Sequence, residues 1–169
     1  AGVFIFSTTA NLFPYIQGNT ISGGSCSSNG CKTYGLFAGI NNGTDLTLVR
    51  QNSIAGGGVS PLPGGSESVG VYLNHASLSG KLIGNAIFGG SADVTVGVTL
   101  AVSMASFSIG DSITNVGNVI YGGSAGTSAY GVRLIAGGNV HSNSINGGSV
   151  STSSIATTYG VYSGSGIVN

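Results

Sequence analysis

The chain has 169 residues, of which 32 are glycine and only eight carry charge, 4 basic and 4 acidic, for a formal net charge of +0. A surface that neutral lacks the electrostatic footprint needed to grip nucleic acid or an anionic membrane, so neither is an expected partner and no membrane insertion is expected. With 41% apolar residues the chain can still bury a core, which excludes simple disorder.

The first predicted strand is Gly2-Val3-Phe4-Ile5. Its pattern returns as Gly35-Leu36-Phe37-Ala38, Gly70-Val71-Tyr72-Leu73, Gly97-Val98-Thr99-Leu100, Gly131-Val132-Arg133-Leu134 and Gly160-Val161-Tyr162-Ser163. One and three places after each glycine the residue is aliphatic or small, and the one between is aromatic or polar. That is the period of two expected of a strand with one buried face.

Further along comes Asn19-Thr20-Ile21-Ser22-Gly23-Gly24, which recurs from Asn52, Asn85, Asn118 and Asn143 with spacings of 33, 33, 33 and 25 residues. A period in that range means one supersecondary unit stacked on copies of itself. Three places before each asparagine stand Ile16, Val49, Leu82, Asn115 and Val140, a third inward set. Three short strands per repeat predict an all-β parallel β-helix, a β-solenoid of about five coils of about 31 residues, each coil about 4.8 Å above the last. Ile21, Ile54, Ile87, Ile120 and Ile145 then form one interior stack.

The asparagines have their own physical reason. A coil corner needs a residue that tolerates left-handed backbone angles and whose amide can bond the same amide one coil away. Asn19, Asn52, Asn85, Asn118 and Asn143 are therefore expected to form a ladder, the alternative being that each merely forms a turn. Serine or glycine would serve a simple turn, and neither replaces asparagine in any copy.

Between the first Gly-Gly and the second Gly-Leu strand, Cys26 and Cys31 sit five positions apart in a polar loop. They read first as a disulfide, which points to an oxidising compartment and an extracellular or cell-surface location. A zinc site needs about four ligands, and His75 and His141 fall at unrelated phases of the repeat. Nothing in the sequence calls for a metal or another cofactor.

Asp45 and Asp111 each lie seven residues before a repeat asparagine, two coils apart, or roughly 10 Å. That is the edge of the range for an inverting carboxylate pair. Leu78 holds the same phase in the coil between them, and no Arg, Lys or His accompanies them at a repeated position. Turn and cap roles are the favoured reading. With no nucleophile elbow or phosphate loop either, the chain reads as a non-enzyme without catalytic residues.

The middle positions of the Gly-Val strands, Phe4, Phe37, Tyr72, Thr99, Arg133 and Tyr162, should stack into a stripe on one outer face. Such a stripe is a self-packing ladder, a surface for a second copy, or a platform for sugar rings.

With its Asn-x-Ile-x-Gly-Gly corners the chain resembles, over essentially all its residues, the right-handed parallel β-helix superfamily. That superfamily includes pectate-lyase-like enzymes and many Gly/Asn-rich repeats of bacterial surface proteins. The resemblance implies the handedness. For enzymes of the fold it implies polysaccharide cleavage by carboxylates, or by a calcium site and a base.

The expected protein is a single β-solenoid domain over 1–169, a piece of a longer solenoid or one subunit of a stacked fibre. Its expected role is structural and extracellular, building a filament, sheath or surface stalk, with head-to-tail copies of itself as partner. The alternative is a carbohydrate-binding or adhesive module taking glycans on the stripe. A third reading is a polysaccharide lyase or hydrolase using Asp45 and Asp111.

Overall fold

A computed structural model of the chain describes residues 1–5, 15–39, 48–59, 65–74, 79–151 and 156–164. Among the described residues the regular structure is β-strand, and no helix is long and apolar enough to cross a membrane.

Each winding visits three sheets in turn, and every sheet pairs parallel with its copy in the next winding. The second sheet collects Tyr15–Gln17, Leu48–Arg50, Gly80–Ile83, Met104–Ile109 and Gly138–Val140. The third collects Thr20–Ser22, Ser53–Ala55, Ala86–Phe88, Val119–Tyr121 and Ser144–Asn146. The first has nine strands. Six pair in succession through the Gly-Val rows: Val3–Ile5, Lys32–Ala38, Glu67–Leu73, Ser91–Leu100, Ser124–Leu134 and Thr157–Ser163. The short Ser25–Cys26, Gly58–Val59 and Ser149–Val150 extend it. The chain is thus the expected β-solenoid with three strands per coil, and its stacked windings amount to about 4 turns.

The repeats pair in register. Ile21 faces Ile54, Ile54 faces Ile87, Ile87 faces Ile120, and Ile120 faces Ile145. A slip of one residue would turn this whole row outward, so burial of the row fixes the register. Ile54 and Ile87 are fully buried, as are Leu36, Val71, Val98 and Val132 from the first sheet and Val49, Leu82 and Ile109 from the second. Burying each such side chain contributes roughly 1.5–3 kcal/mol.

One expected inward residue is wrong. Ile109, not Asn115, pairs with Leu82 and Val140. The fourth winding carries an outward turn, closed by the bridge between Asp111 and Val116, and this pushes the inward position further from Asn118. Asn115 sits in that turn with φ of 55°.

The Gly-Gly corner has two separate causes. A side chain on Gly23, Gly56, Gly89 or Gly122 would collide with the carbonyl of the matching glycine one winding on. The second glycine of each pair takes positive φ, from 75° at Gly24 to 105° at Gly57, where other residues are strained. The asparagines themselves are not left-handed, contrary to the sequence expectation. The residue before them takes that role at Gly18, Gln51, Gly84 and Ser142.

Candidate functional site

The asparagine corner is a continuous hydrogen-bonded column. Asn52 Oδ1 accepts from the backbone N–H of Asn19 at 2.9 Å and from its Nδ2 at 3.1 Å. The same pair of bonds links Asn52 to Asn85, Asn85 to Asn118, and Asn118 to Asn143, at 2.8–3.0 Å. The Nδ2 of Asn52 and that of Asn85 also donate to carbonyls of their own and the preceding winding, as Asn85 does to Ile83 and Val49, and that of Asn118 donates to Leu82. Asn52, Asn85 and Asn118 are each 2% exposed, so these bonds satisfy groups that water cannot reach.

The first sheet carries the chemically varied face. Phe4, Phe37, Tyr72, Thr99, Arg133 and Tyr162 fall in one register row. The rings of Phe4 and Phe37 stack at 4.9 Å and 8°, and those of Phe37 and Tyr72 at 5.3 Å and 9°. Between these rungs the ring faces are covered by one another and only edges point outward, which leaves a sugar ring little face to lie on. Thr99 departs from the expected outward exposure: it is fully buried. Arg133 covers it, its Nη2 donating to Thr99 Oγ1 at 3.4 Å.

A second aromatic row runs beside the first, on the residue before each glycine of the Gly-Val strand. Tyr34 meets Phe37 and Tyr72 edge-on at 5.3 and 5.2 Å. Tyr130 stacks on Tyr159 at 5.4 Å and 9°, and both meet Tyr162 edge-on. Between these two aromatic groups the row holds Val69 and Val96, both fully buried. The signal for this second row was visible as Tyr34-Gly35, Tyr130-Gly131 and Tyr159-Gly160, but only three of the copies carry a ring.

Three of the eight charges meet here. Arg133 pairs with Glu67 two windings away, and Lys32 Nζ lies 3.2 Å from the other oxygen of Glu67. The Glu67 side chain is 11% exposed and that of Arg133 is 19% exposed, with the Arg133 guanidinium 5.6 Å from the Tyr130 ring centre. Burial, then the Glu67 charge, push the Tyr34 hydroxyl up to about 12. No repeat pattern marks this cluster, because Lys32 and Glu67 share one register row while Arg133 stands in the row of Thr99 and Tyr72.

The remaining candidates are spent on structure or lie elsewhere. Asp111 accepts from Thr114 Oγ1 at 2.9 Å and Ile113 N–H at 3.1 Å, with Lys81 Nζ at 2.9 Å. The Lys81 contact, followed by those two hydrogen bonds, holds its carboxyl down at about 2. Asp45, Leu78 and His75 lie outside the described residues. His141 donates its backbone N–H to Ile109 and accepts from Asn143 Nδ2 through its carbonyl. Cys26 and Cys31 are joined by a disulfide. Among the described residues, no group of three or more His, Cys, Asp or Glu is placed to hold a metal ion.

No protein-family model, curated protein or solved structure matches the chain.

Proposed function

We infer that the chain is a structural β-solenoid module of the cell exterior, a rod that joins end to end with copies of itself to build a filament, sheath or surface stalk. The observation that carries this reading is the state of the first sheet at its last strand. Val132 is fully buried, whereas Val161, the next residue in the same row, is 37% exposed and Tyr162 beside it 39%. The first strand offers Val3 and Phe4 at the same row positions, so Val3–Ile5 of a second copy fits the edge of Thr157–Ser163 that no strand among the described residues covers. Parallel pairing has a direction, so the contact is head to tail and does not close on itself.

Among the described residues the first sheet runs through six rungs from Val3–Ile5 to Thr157–Ser163. A junction on the first sheet alone therefore spaces copies by six rungs, about 29 Å at about 4.8 Å each. The Cys26–Cys31 disulfide supports the exterior location, and so does the resemblance to Gly/Asn-rich repeats of bacterial surface proteins. The stacked faces of Phe4, Phe37 and Tyr72 weigh against the glycan-platform alternative.

Electron microscopy of the purified chain, with Val161→Asp beside it, tests the reading. Filaments with an axial repeat of about 29 Å, lost in Val161→Asp while its thermal melt persists, are the expected result. A monomer at every concentration, or filaments indifferent to Val161→Asp, would overturn it.

A further inference from the structure

The loop closed by Cys26 and Cys31 contains Asn29-Gly30, and all four residues between the cysteines are exposed. Gly30 sits in a turn at φ of 68°. Neither the Asn29 side-chain amide nor the Gly30 N–H makes a hydrogen bond among the described residues.

We propose that Asn29 is a site of spontaneous covalent modification, converted to aspartate and isoaspartate through a cyclic imide formed with the Gly30 nitrogen. The Gly30 amide, having lost its proton to hydroxide, attacks Asn29 Cγ. A C–N bond forms, the bond from Cγ to the side-chain nitrogen breaks, and that nitrogen leaves as ammonia. Water then opens the five-membered ring at either carbonyl, giving aspartate or isoaspartate. One water is consumed and one ammonia released, with no oxidant or reductant. Glycine leaves its nitrogen unshielded, and an exposed turn lets the side chain swing onto it.

The molecule contains its own control in Asn146-Gly147, the same dipeptide in a different setting. Asn146 ends a strand paired with Val119–Tyr121, and its Oδ1 is held by the Gly148 N–H at 2.8 Å. Its backbone carbonyl accepts from Gly122 at 3.0 Å, and Gly147 lies against the backbone of Tyr159. Ring closure there must break these contacts first. The column asparagines are better protected still. The N–H that would attack Asn52, Asn85, Asn118 or Asn143 belongs to Ser53, Ala86, Val119 or Ser144 respectively, and each already donates to an asparagine carbonyl one winding back at 2.8–2.9 Å.

Conversion at Asn29 places a new carboxylate three positions before Lys32, in a chain with only 4 acidic residues. The disulfide-intact protein is held in mildly alkaline buffer at physiological temperature and mapped by peptide mass spectrometry over time. Conversion at Asn29 on the order of tenfold faster than at Asn146, with isoaspartate among the products, is the expected result. In denaturant the two rates should converge, and Gly30→Ala should slow conversion at Asn29 alone. Equal rates in the folded protein, a difference that persists in denaturant, or a rate unchanged in Gly30→Ala would each overturn the proposal.

Discussion

The asparagine corner and the outer face of the first sheet are built on the same windings but obey different rules. At the corner every rung repeats one residue making one set of bonds, and the inner rungs are interchangeable. On that face each rung differs: Phe37, Tyr72, Thr99 and Arg133 follow one another in a single row. Repetition survives where space and buried backbone groups leave one solution. Variety is tolerated where neighbours on adjacent rungs can compensate for one another.

The sharpest way to break this contrast is at the isoleucine stack beside the corner. Ile87→Asp puts a carboxylate where exposure is 0%, with no partner, and should cost more than about 4 kcal/mol, enough to abolish the folded state in a thermal melt. Asn85→Ala should cost about 2–3 kcal/mol, because it strips the acceptor from the buried Asn52 N–H and leaves the Val49 and Ile83 carbonyls without that donor. Asn19→Ala, at the exposed first rung, should cost clearly less. Equal losses at Asn19 and Asn85 in denaturant unfolding would mean that burial along the column does not set its energetics.

On the outer face of the first sheet the expected effects are smaller and depend on the partner. Arg133→Met should cost about 1–2 kcal/mol, since it leaves Glu67 with Lys32 alone in a mostly covered position. Adding Glu67→Gln should return part of that loss. Strict additivity in the double-mutant cycle would count against the pairing.

The first sheet should also respond to alkali in a way the corner does not. The Tyr34 hydroxyl titrates at about 12 in the folded chain against 10.0 unfolded, so the folded state holds its proton longer. Its stabilising contribution is complete below pH 10.0 and lost as pH rises towards about 12. Tyr34→Phe should flatten the fall in melting temperature over that window, and a wild-type tyrosine titration should contain one late step that the variant lacks.

The same division explains what could be read from the sequence. The coil, its three sheets and the isoleucine stack were legible because a buried position must repeat its chemistry in every winding. Asn115 was misplaced because the turn from Asp111 to Val116 interrupts the spacing in one winding only. The asparagines were rightly placed at corners, but the left-handed angle falls one residue earlier, where glycine, glutamine and serine alternate and leave no repeated letter. The Lys32, Glu67 and Arg133 cluster was illegible because Arg133 stands in a different register row from Lys32 and Glu67 and reaches Glu67 only across two rungs.

The stacking of windings in register is tested most directly by NMR couplings transmitted through hydrogen bonds, from backbone amide nitrogens to side-chain carbonyl carbons. The amides of Asn19, Asn52, Asn85 and Asn118 should couple to the side chains of Asn52, Asn85, Asn118 and Asn143, that is, 33, 33, 33 and 25 residues along the chain. Couplings confined to residues within the same winding, with none bridging one repeat to the next, would contradict the solenoid itself.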